Sequence, residues 1–160
     1  MNLTRLIAAA ACAIAVNAAF AADTSPASPR AAAAPEKLAA ARGLIAEKKW
    51  AAAIDELKRV NDGGNADWNN LMGYSHRKAG TPDLAAAERY YGEALRIDPK
   101  HRGALEYSGE LFLQLGDLAR AEQRLAALDK ACFLPCEEFT ELKSAIARFK
   151  ANGNKVAATN

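Results

Sequence analysis

The sequence predicts an all-α protein, a short solenoid of helix–turn–helix units, and three observations carry that prediction. Ala53, Ala87 and Ala121 recur at intervals of 34 residues, and three apolar or small series keep step with them: Trp50/Leu84/Leu118, Leu57/Tyr91/Leu125 and Val60/Ala94/Leu128. Hydrophobic residues make up 51% of the chain, but alanine dominates them and aromatics reach only 7%, which suits closely spaced helices rather than a sheet. The prolines of the repeat region and glycines such as Gly80 and Gly116 fall at the turns between the periodic segments, while Gly73 and Gly109 recur within first helices. A helix–turn–helix of this length cannot bury its apolar face alone, so copies must stack side by side around one continuous core.

The elements follow in chain order. Arg5 gives residues 1–21 a positive start, Leu6 to Val16 form an apolar run too short to span a bilayer, and Ala19-Phe20-Ala21 offers the small residues a signal peptidase needs. Export to the periplasm with cleavage after Ala21 is therefore expected; Ala9-Ala10-Ala11-Cys12 lacks the leucine usual three places before a lipidated cysteine. Residues 22–35 cannot bury enough apolar area to offset their ordering entropy and read as a flexible linker.

The repeat domain is expected over residues 36–150. Unit one carries Ala41 in its first helix and Lys48-Lys49-Trp50 at its turn. Unit two leads with Trp68 and Leu71-Met72-Gly73-Tyr74, turns at Gly80-Thr81-Pro82-Asp83 and closes with Ala94-Leu95-Arg96-Ile97-Asp98-Pro99. In unit three, Gly116-Asp117-Leu118-Ala119-Arg120-Ala121 supplies a turn glycine, an N-capping aspartate and a small residue for a close helix approach. Gly73 and Gly109 lie 36 apart while everything after the turn lies 34 apart, so the turn of unit two is two residues longer. Phe139, Leu142, Ile146 and Phe149 make one apolar stripe on a final helix, with Glu137, Glu138, Glu141, Lys143, Arg148 and Lys150 for its solvent side, the pattern of a cap. Residues 151–160 are small and polar and read as a disordered tail.

With these residues in place the chain resembles the tetratricopeptide repeat family, whose consensus runs aromatic, Leu-Gly, Tyr, Gly-Asp-Tyr, Ala, aromatic, Ala-Leu, Pro. The resemblance covers roughly residues 35–135 and is specific in units two and three; in unit one Ala41 stands for the first glycine and Lys48-Lys49-Trp50 for Gly-Asp-Tyr. It implies a right-handed α-solenoid of about three units with a C-terminal capping helix. The segment after the last repeat is similar to that of small exported Gram-negative tetratricopeptide proteins with a Cys-x-x-x-Cys-Glu-Glu run, a likeness that supplies no chemistry. The resemblance also implies which first-helix positions face a concave groove: Asp67, Asn70, Tyr74, Arg77 and Lys78 in unit two, and Gly103, Glu106, Glu110, Leu113 and Gln114 in unit three. Asn70, Tyr74, Arg77 and Lys78 can hold a peptide's amide or carboxylate, and Glu106 and Glu110 can accept its basic side chains.

Charge and cysteine use narrow the function. Removing residues 1–21 takes away Arg5 and no acid, leaving 20 basic against 19 acidic side chains, a net charge of +1 mixed along the helices, so no nucleic acid is expected. There is no glycine-rich phosphate loop and no nucleophile elbow, which argues against an enzyme and leaves no cofactor to predict. His76 reads as a partly buried, hydrogen-bonded imidazole and His101 as an exposed one, and with Cys132 and Cys136 they lack the paired spacing of a zinc site. After export Cys132 and Cys136 are the two remaining thiols, and a disulfide between them closes a loop worth about 2 kcal/mol. Thiol exchange and copper(I) binding by the same pair stay open. Two readings result: an adaptor that holds a protein or peptide partner in its groove, or a thiol- or copper-handling accessory protein. No membrane span is expected in the mature chain, and a chain this short can self-associate through its ends.

Overall fold

The computed structural model describes residues 36–155, which form seven helices and, among the described residues, no strand. In chain order they are α1 (Ala39–Ala46), α2 (Trp50–Val60), α3 (Ala66–Lys78), α4 (Leu84–Ile97), α5 (Arg102–Gln114), α6 (Leu118–Ala131) and α7 (Glu137–Ala151). The expected signal peptide over 1–21, the linker over 22–35 and residues 156–160 lie outside the described residues. The helices pair as α1/α2, α3/α4 and α5/α6, and α7 closes the last pair by packing on α5 and α6. Among the described residues no helix is long and apolar enough to cross a membrane.

The period sets this packing. Ala53, Ala87 and Ala121 are each 0% exposed, at the positions where a small side chain lets helices approach. Five residues (79–83) join α3 to α4 and three (115–117) join α5 to α6, the two-residue difference expected from the glycine spacing. Asp83 accepts from the Ala86 amide at 2.8 Å and Asp117 from the Arg120 amide at 3.0 Å, so both aspartates satisfy a free amide of the helix they begin. Unit one lacks this device: Lys49 precedes α2 without a side-chain cap, and Lys48 sits at φ 58° where unit three has Gly116 at φ 77°. A left-handed lysine costs about 1 kcal/mol relative to glycine, and here the sequence match is also loosest.

Two glycines are fixed by contact. A Cβ on Gly73 would stand 2.7 Å from a ring carbon of Tyr91, and one on Gly109 would stand 2.5 Å from a methyl of Leu142. In unit two the aromatic of the 34-residue series lies on its own unit's glycine. In unit three the corresponding place is taken by Leu142 of α7, while Leu125 is half-buried beside it in the same cluster. The cap is therefore keyed into the last repeat.

Candidate functional site

The first helices make one wall. Among the described residues α1 packs on α3, α3 on α5 and α5 on α7, whereas the backbones of α2, α4 and α6 stay apart and α6 reaches α4 by a side-chain pair, Arg120 Nη1 to Glu88 Oε1 at 2.6 Å. The side on which neighbouring helices meet is the tighter, inner side of the stack, and the residues placed there by the repeat register lie on α3 and α5.

The structure brings those residues together but corrects their exposure. Asp67, Lys78 and Gln114 are exposed, and Tyr74, Gly103 and Glu110 are half-buried, whereas Asn70, Arg77, Glu106 and Leu113 are buried. The resemblance implies that all of them line an open groove. Four of them instead fill the seam between neighbouring first helices, where a residue on the shared face must be covered by the next unit. Arg77 is 4% exposed, and its Nη2 donates to Glu110 Oε2 at 2.7 Å across the α3–α5 seam. Burial opposes its charge, but Tyr91 and Glu110 together hold the guanidinium above the usual arginine range. Asn70 is 7% exposed, its Oδ1 has no donor among the described residues, and its amide nitrogen is 3.1 Å from where a Cβ on Gly103 would stand.

Aromatic rings continue the seam. The Trp50 and Tyr74 rings meet edge-on with centroids 5.9 Å apart, and Tyr74 and Tyr107 lie 4.7 Å apart. The Arg77 guanidinium is 5.7 Å from the Tyr74 ring centre and 5.8 Å from that of Tyr107, and Lys78 Nζ is 6.0 Å from Tyr74. Sequence reasoning missed Tyr107 as a site residue, because carrying Tyr74 forward by the first-helix spacing of 36 lands on Glu110. The signal was one turn away: Tyr107 and Glu110 share a helix face three residues apart.

The α5–α7 half is acidic. Glu106 is 8% exposed and has no hydrogen-bond or ion-pair partner among the described residues, while Glu110, Glu138 and Glu141 surround it. Burial first, and then these carboxylates, push its carboxyl up to about 8. Burial, with Glu106 next, pushes the Tyr107 hydroxyl up to about 12. Between the ordinary carboxylate range and about 8 the folded state binds more protons at Glu106 than the unfolded state does, so stability falls as pH rises through that window. Glu106→Gln removes this titration. The variant is expected to gain on the parent by about 1–3 kcal/mol between pH 5 and pH 9, a figure reduced for screening by water. Thermal melts at both pH values check it, and a stability difference that does not change with pH contradicts it.

The histidines also differ from expectation. The His101 side chain, expected exposed, is 13% exposed. Its Nδ1 accepts from the Ala104 amide at 3.1 Å, which puts the proton on Nε2, 3.0 Å from Asp67 Oδ1. His101 thus caps α5 and ties it to α3. His76 is half-buried as expected but stacks on Tyr90, centroids 5.5 Å apart, with no side-chain hydrogen bond among the described residues, and burial lowers its pKa.

At the far end, the sulfurs of Cys132 and Cys136 stand at disulfide distance, with Cα atoms 5.9 Å apart. The segment between α6 and α7 that they bracket presents Phe133 at 99% and Leu134 at 71% exposure.

No protein-family model matches the chain, and no curated protein matches it. Among solved structures the chain is similar to the Yersinia enterocolitica type III secretion translocator chaperone SycD, with 20% identity and a TM-score of 0.63 over 73% of this chain and 83% of that one. It is likewise similar to SycD in complex with a peptide of the translocator YopD, with 20% identity and a TM-score of 0.61 over 73% of this chain and 92% of that one. At this identity the likeness establishes the fold: a tetratricopeptide-like helical solenoid.

Proposed function

We propose that the chain is a periplasmic adaptor that holds a segment of a protein partner along the inner face of its solenoid. The observation that carries this reading is the continuous inner wall in which the Trp50, Tyr74 and Tyr107 rings flank Lys78 and the Arg77–Glu110 pair. Aromatic faces beside charged groups suit an extended chain, stacking on its side chains while hydrogen-bonding its backbone. The similar SycD structure with a YopD peptide supports a protein or peptide as the partner, and its being a chaperone supports binding rather than catalysis. The periplasm rests on the leader-like character of residues 1–21. Because Arg77 is buried and paired, the exposed Lys78 and half-exposed Tyr74 are the groups to test. Tyr74→Ala with Lys78→Glu should weaken capture of periplasmic partners about tenfold or more, the loss of an aromatic anchor and a charge reversal together. Arg89→Glu, at an exposed position of α4, should leave capture unchanged. Equal capture by both variants would remove the reading.

The exposed cysteine segment favours a second reading, thiol exchange or copper(I) handling, because both sulfurs lie together next to an apolar tip. We expect the pair to be a structural disulfide in protein purified from the periplasm. Intact mass after alkylation should show no free thiol until a reductant is added. Two alkylated thiols without reduction would favour the accessory reading instead.

A further inference from the structure

We propose that the partner segment held by the inner face carries an arginine, whose guanidinium seats between α3, α5 and α7 against Glu106 and Asn70. The inference rests on the groove reading above and adds the chemistry of its anchor. Two acceptors share the α3–α5 seam without a donor among the described residues: the carboxyl of Glu106, a residue 8% exposed, and the enclosed Oδ1 of Asn70, a residue 7% exposed. Asn70 packs against Gly103, one helical turn before Glu106. A buried acceptor left unpaired is costly, and a residue that only donates, in a planar fork, answers two such acceptors at once.

The surrounding charges ask for the same group. Facing Glu106 are Arg77 from α3, Glu110 from its own helix, and Glu138 and Glu141 from α7. Arg77 is already committed to Glu110 at 2.7 Å, and among the described residues Glu138 has only Arg102, at 3.6 Å. Carboxylates therefore outnumber cations on this half of the wall, and a cation arriving from outside relieves their repulsion. A cleft of about 370 Å³ opens at the start of α5; Gly103, against which Asn70 packs, and Glu138, which faces Glu106, are among its walls together with Lys100 and Arg102. The half-buried Tyr107 and Tyr74 rings give the side chain's stem a surface to cross. Glu106, protonated near neutral pH in the free protein, ionises when the guanidinium seats, so binding releases a proton and tightens as pH rises from 6 to 9.

The test uses the mature protein and three degenerate nonapeptide pools whose fixed central residue is arginine, citrulline or glutamate. Anisotropy gives affinity, and amide chemical-shift changes locate the contact. The arginine pool should bind with shifts on α3, α5 and α7, and citrulline, the uncharged isostere, about tenfold or more weaker. Glu106→Gln, checked for unchanged helicity, should bring arginine down to the citrulline level and abolish the pH dependence. If the arginine and citrulline pools move the inner face equally, or Glu106→Gln changes nothing, the arginine anchor is wrong while the groove reading stands. If no pool moves the inner face, the groove reading fails with it.

Discussion

Glu110→Ala is expected to destabilise the protein by about 3 kcal/mol, the lower end of what breaking a buried ion pair costs, since the Glu110 side chain keeps 29% exposure. The loss comes from what remains. The Arg77 side chain, 3% exposed, would hold its charge in the α3–α5 seam with the Glu110 carboxylate gone, and its Nε already has no hydrogen-bond partner among the described residues. The contact spans 33 residues of sequence, so it joins one unit to the next rather than stabilising either alone. Arg77→Met with Glu110→Leu removes both charges and keeps the volume, and should recover most of the loss. Denaturant unfolding of the single and double variants checks both statements. A single variant within about 0.5 kcal/mol of the parent, the range of ordinary surface changes, contradicts the buried-pair account.

Leu142→Ala should cost about 2–5 kcal/mol, because it empties a fully buried position where α7 keys onto α5. The leucine methyls lie where a Cβ on Gly109 would stand, at 2.5 and 2.7 Å. Gly109→Ala is therefore destabilising in the parent, while in the Leu142→Ala background the added methyl partly refills the vacated space. The two changes should be non-additive by about 1 kcal/mol or more, as neighbours in contact are. Amide exchange on the single variant should show α7 losing protection before α3 and α4 do. Additive costs, or an α7 protected as in the parent, would mean that the cap does not depend on this contact.

Much of this architecture was written in the periodicity. The alanine series located three buried helix contacts, Gly73 and Gly109 revealed the longer turn in unit two, and Asp83 and Asp117 announced the helices they cap. Depth along the inner face was less legible. A repeat register says that Asn70, Arg77 and Glu106 share a face, but whether water reaches them depends on how closely the next unit packs, a property of neither unit's own sequence. Arg77 with Glu110 and His101 with Asp67 are pairs between units, chosen by three-dimensional neighbours some 33 and 34 residues away. Tyr107 escaped because the family positions were carried over as a fixed set, and the ring stands one turn outside them. Leu142 was legible as a cap residue, though its place on Gly109 was not.

The central claim is that the inner face, and not the outer face or the cysteine tip, holds the partner. Site-resolved photo-crosslinking in intact cells tests it most directly, with a benzophenone side chain placed in turn at Lys78 and Gln114 on the inner face, at Arg89 on α4 and at Phe133 between the cysteines, all exposed positions. The account predicts the same discrete adduct from Lys78 and Gln114 and none from Arg89 or Phe133. Adducts from Phe133 or Arg89 with none from Lys78 and Gln114 would contradict it.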